Sequence, residues 1–462
     1  MAGSAKGILV AGSEDARLSA GKGRACVSAD TIFALSSGMP PSGVAVIRVS
    51  GPDAIAAVVA LTGGSPPLPR HMALRGLRGA DGDSIDEALV AVFPAPGSFT
   101  GEDCSEFQVH GSRAVVSALA EALGSLGLRP AEPGEFTRRA LRNEKLSLTQ
   151  AEGLGDLLQA EAKEQLRLAR QSASGALATL YEGWRQRILH VQAECEAELD
   201  FSDEDLPPGR QDALAKAIAD LTLELGAHGR DNVRAERVRA GIMVVLSGPP
   251  NAGKSTLLNL LAKRDVAIVS EEAGTTRDIL EVSLDLAGYA VTVVDTAGLR
   301  EASSAVESEG IKRARHYGEA ADILVSITAP GLKDAVLSRE ADFQLWNKTD
   351  IAPAPAGPWL ALSLRTGAGV DAFLEALTAK VARDYGLGET VVSGQQRHQA
   401  AVSDAATHLS RAKDYLQSGS EAQLVLVAEE CRMASMALAR ILGLVDVEDI
   451  LGAIFSSFCI GK

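Results

Sequence analysis

The stretch Gly248-Pro249-Pro250-Asn251-Ala252-Gly253-Lys254-Ser255 constrains what this chain can fold into more than any other. It follows the apolar residues 242–246 and leads into Thr256-Leu257-Leu258-Asn259-Leu260-Leu261, so it reads as strand, glycine loop and helix. Such a loop turns successive backbone N–H groups toward one point, here from Asn251 through Ala252 and Gly253 to Thr256, and the positive end of the following helix adds to that field. The expectation is an anion site in which Lys254 reaches the β- and γ-phosphates and the Ser255 hydroxyl ligates Mg²⁺. A structural glycine turn is the alternative, and the strand and helix on either side favour phosphate.

A chain of 462 residues is too long for one ordinary core, so two or three domains are expected. Apolar residues at 46% with aromatics at only 4% suit an Ala- and Leu-rich soluble protein with many helices better than a β-sandwich. No apolar run reaches the roughly 18 residues that a membrane span needs. Cys26, Cys104, Cys195, Cys431 and Cys459 include no close pair, which indicates neither a disulfide framework nor a zinc knuckle and points to a reducing cytoplasm. A net charge of −15 argues against a broad basic face for nucleic acid, so any such role needs a partner or a small local patch.

Along the chain, residues 1–29 are Ala-, Gly- and Ser-rich and are read as a disordered extension or a mis-assigned start. Residues 30–146 form an α+β module with strands at 43–49, 86–93 and 106–110 and helices at 52–62 and 112–126. Residues 147–240 turn to long helices broken mainly at 203–209, where Pro207-Pro208-Gly209 is a stop. Residues 241–385 alternate strand and helix, as a mostly parallel sheet requires, and helices return over 386–462. Helical sequence on both sides of the phosphate loop implies one discontinuous helical domain with an α/β domain inserted in it.

Three further stretches come in the order a P-loop GTPase needs. Val291-Thr292-Val293-Val294-Asp295-Thr296-Ala297-Gly298 reads as a buried strand whose terminal Asp binds Mg²⁺ through water and whose Gly298 N–H reaches the γ-phosphate. In Asn347-Lys348-Thr349-Asp350 the Asp350 carboxylate accepts from guanine N1–H and the exocyclic amine, a pairing adenine cannot offer, while Asn347 and the Lys348 stem hold the base. Gly274-Thr275-Thr276-Arg277-Asp278 lies between, with Thr276 able to complete the Mg²⁺ shell, and Ser363-Leu364-Arg365 is expected to back the base. Where small signalling GTPases place a Gln to orient water, this chain has Leu299, which cannot hydrogen-bond. Another group must therefore position that water, and the acidic residues 301–309, chiefly Glu307, offer it, with a solvated helix start as the alternative.

Together with the terminal Phe458-Cys459-Ile460-Gly461-Lys462, these motifs resemble the MnmE (TrmE) family of tRNA modification GTPases over residues 30–462. So do Asp30-Thr31-Ile32, Val46-Ile47-Arg48-Val49-Ser50-Gly51, Ser98-Phe99-Thr100-Gly101-Glu102-Asp103, Pro133-Gly134-Glu135-Phe136-Thr137 and Gln150-Ala151-Glu152, which no general GTPase carries. The resemblance implies an N-terminal α+β tetrahydrofolate-binding domain that also makes a homodimer, a discontinuous helical domain and an inserted Ras-like α/β GTPase domain. It implies a cytoplasmic protein that works with a flavoprotein partner, MnmG, in a heterotetramer or larger complex. The partner supplies flavin and NADH, and the pair installs a carboxymethylaminomethyl or aminomethyl group on C5 of the wobble uridine of certain tRNAs. The one-carbon unit would come from 5-formyl- or 5,10-methylene-tetrahydrofolate, held by Arg48, Glu106, Lys145 and Lys462, since a pterin edge wants a carboxylate and a glutamate tail wants cations. The family also implies K⁺ in the phosphate pocket, with Asn251, Ser270, Glu272 and Thr275 as ligands and Glu307 as the residue that orients water. Cys459 is left open between a small apolar residue and a role in modification.

The chain departs from the family pattern at Glu272, at Ser363-Leu364-Arg365 and in the short span 322–347, which bear on nucleotide affinity and K⁺ dependence rather than on hydrolysis. Two other classes compete. A GTP-regulated assembly switch would have no use for Arg48, Glu106 and Lys145, and an ATP-using P-loop protein would leave Asp350 idle.

Overall fold

The computed structural model describes residues 30–200, 210–268, 281–295, 317–332, 337, 339–417, 421–445, 451–452, 454–455, 458 and 461. The break expected at 203–209 and the extension at 1–29 lie outside them. The described residues fall into two compact units, one up to Lys145 together with Gly461 and one from Leu146 onward.

The first unit runs β1 (Ile32–Leu35), β2 (Ser42–Ser50), α1 (Ala54–Thr62), β3 (Ala73–Arg78), β4 (Ser84–Phe93), β5 (Cys104–Gly111), α2 (Arg113–Ser125), β6 (Arg129–Pro130) and α3 (Glu135–Arg142). Its sheet has the order β3-β4-β5-β2-β1-β6, antiparallel except for the β1–β6 pair. Alternate residues Ala45, Ile47 and Val49 of β2 face inward with Phe107 and Val109 of β5, and α1 and α2 cover them with Val58, Leu61, Leu119 and Leu123. Each large side chain buried this way contributes roughly 1.5–3 kcal/mol of apolar transfer. The Ser112 hydroxyl caps α2 by accepting from Val115 N. Two elements give weak patterns in the sequence: β3 buries only Leu77, and α3 buries Glu135, Thr137 and Arg139 alongside Phe136 and Ala140.

The second unit opens with α4 (Leu148–Gln159), α5 (Lys163–Ala173), α6 (Ala176–Asp200) and α7 (Arg210–Ala240). The expected long helical stretch thus has two further breaks, before Lys163 and before Ala176. An α/β lobe follows, with β7 (Ile242–Ser247), α8 (Lys254–Leu261), β8 (Glu281–Leu286), β9 (Tyr289–Asp295), β10 (Ile323–Thr328), β11 (Phe343–Trp346), β12 (Trp359–Ala361) and α9 (Val370–Tyr385). Its sheet order is β12-β11-β10-β7-β9-β8, parallel except for the β8–β9 hairpin. β10 and β11 are parallel neighbours, and the described residues between them include no helix. The chain then returns through α10 (Gln396–Gln417) and α11 (Glu421–Leu442).

A heptad spacing accounts for the helical lobe. Leu177, Tyr181, Trp184, Ile188, Val191 and Cys195 of α6 recur at alternating intervals of four and three, as do Leu424, Val427, Cys431, Ala434, Leu438 and Ile441 of α11, and all are buried. The same rhythm in α7 puts His228 and Asn232 into the seam, where His228 Nε2 lies 3.1 Å from the Tyr181 hydroxyl and Asn232 Oδ1 accepts from Ser393 N at 3.2 Å. These helices bury one core of Leu, Ile, Val and Ala, and the polar residues in it fix their register. The thiols of Cys104, Cys195 and Cys431 are buried and free.

Candidate functional site

β7 ends against the glycine loop, and the loop takes its shape from two close approaches. A Cβ on Gly248 would lie 2.1 Å from Ile327 O, and one on Gly253, at φ +109°, would lie 2.4 Å from Asn347 Nδ2. Asn251 is itself left-handed at φ +61°. Lys254 is buried at the start of α8, with Nζ donating to Gly248 O at 2.9 Å and Pro249 O at 3.0 Å across the loop mouth. Ser255 Oγ donates to Asp295 Oδ2 at 2.5 Å, and Asp295 ends β9 in register with Leu246 at the end of β7. A hydroxyl and a fully buried carboxylate that meet beside a phosphate cradle are a hard-oxygen donor pair of the kind Mg²⁺ takes. The residues present therefore fit such a cation.

The second half of the site follows β11. Asn347 Nδ2 donates to Ala252 O at 2.8 Å, which ties the loop after β11 to the glycine loop, while its Oδ1 accepts from Lys348 N at 2.7 Å and Leu364 N at 3.2 Å. Lys348 turns the chain at φ +64°. The Asp350 carboxylate accepts from Ser363 Oγ at 2.6 Å and pairs with Arg365 Nε at 3.0 Å. The Ser363 hydrogen bond, then the Arg365 and Lys348 charges, hold its carboxyl below the usual range, so Asp350 stays an acceptor at neutral pH. Thr256 sits exposed in the first turn of α8. The sequence offers Arg365 only as part of a stretch backing the base, and the tie from Asn347 to Ala252 has no mark in the sequence because it spans 95 residues.

Ser270, Glu272, Thr275, Thr276, Thr296, Ala297, Gly298, Leu299, Glu307, Cys459 and Lys462 lie outside the described residues.

In the first unit, Arg48 and Glu106 are cross-strand partners on β2 and β5, with Arg48 Nε donating to Glu106 Oε1 at 2.9 Å. The Arg48 guanidinium lies 5.6 Å from the Phe99 ring centre and 5.9 Å from that of Phe136. Lys145 Nζ donates to Pro96 O at 2.9 Å, so residues 94–103 touch both Arg48 and Lys145. Gly461, next to Lys462 in the chain, docks on the end of β1, where its carbonyl accepts from Ser36 Oγ at 2.9 Å. Its φ of +98° and the 2.1 Å that would separate a Cβ from Leu35 O admit glycine alone. Glu106, Arg48 and Lys145 thus give this unit one carboxylate and two cations, the first two already paired with each other.

Behind them lies an ionic network. Arg139 donates to Glu102 Oε2 at 3.0 Å, Asp30 Oδ1 at 2.9 Å and Glu135 Oε1 at 3.0 Å, and Arg129 forks onto Glu135 at 2.6 and 2.9 Å. Burial works against the charge on Glu135, but the Arg129 and Arg139 bonds and the Glu132 N–H bring its carboxyl down to about 2.

Two family descriptions match the chain, "GTP-binding protein TrmE N-terminus" over residues 31–145 and "MnmE helical domain" over residues 148–459. The tRNA modification GTPase MnmE of Parvibaculum lavamentivorans is 48% identical over 439 residues, covering 94% of this chain and 100% of that protein. The protein of the same name from Brucella anthropi is 49% identical over 439 residues, covering 94% and 98%. Among solved structures, the G domain of the T. maritima FeoB iron transporter matches at 22% identity and a TM-score of 0.23, covering 30% of this chain and 98% of that one, a likeness too loose to bear on function. By both family matches and by identity across nearly the whole sequence, this chain belongs to the MnmE (TrmE) family of tRNA modification GTPases.

Proposed function

We propose that the chain is a K⁺-dependent GTPase that, with an FAD- and NADH-using MnmG-type partner, adds an aminomethyl or carboxymethylaminomethyl group to C5 of the wobble uridine in certain tRNAs. The observation that carries the nucleotide half is the junction of Asn347 with the phosphate loop at Ala252, beside an Asp350 carboxylate fixed as an acceptor. A guanine base and its phosphates are thereby read by one rigid surface. Bound Mg²⁺ and K⁺ would supply positive charge to phosphate oxygens as negative charge develops there.

The chain's own residues do the rest. Lys254 exchanges its bonds to Gly248 O and Pro249 O for phosphate oxygens, and Ser255 with Asp295 holds the Mg²⁺ side of the pocket. Gly298 and Thr276 bind the γ-phosphate side, Glu307 orients the attacking water in place of Leu299, and Asn251, Ser270, Glu272 and Thr275 surround the K⁺. Arg48, Glu106 and Lys145 of the first unit, together with Lys462, hold a tetrahydrofolate one-carbon donor, and the N-terminal domain makes the homodimer. Among the described residues no helix is long and apolar enough to cross a membrane, in keeping with the proposed cytoplasmic site of action.

The test is nucleoside analysis of tRNA from a host whose own gene of this family is deleted. The chain should restore the C5 modification of wobble uridine, and Lys254→Ala should not. Unmodified wobble uridines beside active GTP turnover would leave the assembly-switch reading standing instead.

A further inference from the structure

The α/β lobe is inserted in the helical lobe, leaving it after Ala240 and returning at residues 393–396, and both crossings close on one side chain of α4. Asp156, 12% exposed, accepts from Arg239 Nε in the last turn of α7 at 2.8 Å and from Gln395 Nε2, just before α10, at 3.0 Å. One helical turn earlier on the same face of α4, Glu152 is 4% exposed and accepts from Arg397 Nε and Nη2 at 2.6 and 2.7 Å and from His398 Nε2 at 2.9 Å. Arg397 also donates to the carbonyls of Arg440 and Ile441, each at 3.1 Å, at the end of α11. Between them Gln396 donates to Glu236 of α7 at 2.7 Å. Charge-assisted bonds of these lengths fix direction as well as distance.

The next helix, α5, touches the α/β lobe a second time. Glu164 N donates to Gly288 O at 2.8 Å at the tip of the β8–β9 hairpin, and Leu168 packs in one cluster with Tyr289 and Tyr385. β9 starts at that Tyr289 and ends six residues later at Asp295, so one hydrogen-bonded strand joins the α5 contact to the carboxylate at the nucleotide site. An open cleft of about 500 Å³ lined by Glu152, Asp156, Arg239, Gln395, Arg397 and Phe458 borders the joint.

On the reading that GTP turnover in this chain serves tRNA modification, we propose that Asp156, with Glu152 on the same face of α4, is a positioning residue that carries movement of the α/β lobe to the end of α11 and so ties hydrolysis to modification. It acts through Arg239, Gln395 and Arg397, not on nucleotide. The experiment uses full-length wild type, Asp156→Asn, Asp156→Glu and Gln395→Ala, with GTP turnover of the purified proteins set beside wobble-uridine modification in the deletion host. Turnover should stay within about twofold of wild type, while modification falls at least about tenfold in Asp156→Asn and about threefold in Gln395→Ala, with Asp156→Glu recovering most of it, a coupling of ordinary size.

A parallel fall in turnover and modification overturns the proposal, because a merely structural role lowers both. Unchanged modification in Gln395→Ala overturns it equally, and that variant keeps the Asp156–Arg239 pair should Asp156→Asn fail to fold. If the wild type restores no modification, the function reading fails and takes the proposal with it. If wild type and variants restore it alike, the proposal alone fails.

Discussion

Asp350 shows how a single carboxylate is prepared for the base-reading role proposed for it. Ser363 and Arg365 occupy part of its acceptor capacity and keep it ionised, leaving the rest for two donors on a guanine edge. In Asp350→Asn the side chain gains donors, which meet guanine's N–H groups head-on but match the carbonyl that xanthine carries instead of the amine. Competition binding should show GTP affinity falling by a factor of about 100 or more and XTP becoming the preferred ligand, since a polar site rejects a mismatched edge strongly. The residue types and spacing of this motif were plain in the sequence. The partners that hold it, Ser363 apart, were not, because hydrogen bonds between loops follow no periodicity.

At the scale of elements, α3 is the instructive case. It has few apolar residues, yet it is buried, because Glu135 and Arg139 neutralise one another and reach Arg129, Asp30 and Glu102. Removing the Glu135 charge takes one carboxylate from Arg129 and Arg139, which keep Asp30 and Glu102, so Glu135→Gln should cost about 1–3 kcal/mol in unfolding experiments. The pH dependence follows from a carboxyl lowered from 4.5 to about 2 on folding. Its contribution is fully present above the unfolded value and is lost as pH falls from about 4.5 toward 2, so wild type should lose its advantage over Glu135→Gln across that window. The family motif around Gly134-Glu135-Phe136 is thus in large part a packing device. Likewise Gln150 of Gln150-Ala151-Glu152 closes a capping box with Ser147, while Glu152 holds Arg397 and His398.

In the molecule as a whole, burial keeps the Cys431 thiol up at about 12 and His228 down at about 4, so these two groups of the helical core are uncharged at neutral pH. The GTPase chemistry proposed above falls instead to residues at the ends of β7, β9 and β11. If K⁺ supplies the charge that an arginine finger supplies elsewhere, GTP turnover by the full chain should be at least about tenfold faster in KCl than in NaCl at equal ionic strength. Equal rates in steady-state assays would remove K⁺ from the mechanism and leave Asn251 a loop residue.

Local matters are legible in the sequence. These are the strand, loop and helix around Lys254, the guanine motif, the helical rhythm on either side, and the family motifs, because each is written in residue type and short-range spacing. Tertiary structure decided everything that depends on side chains far apart in the chain. It set Asn347 on Ala252 and Arg48 beside Glu106, covered the charged α3, and gathered Arg239, Gln395 and Arg397 around two carboxylates of α4. The physical reason is that a buried polar group must find a partner, and which partner is near depends on how whole elements pack.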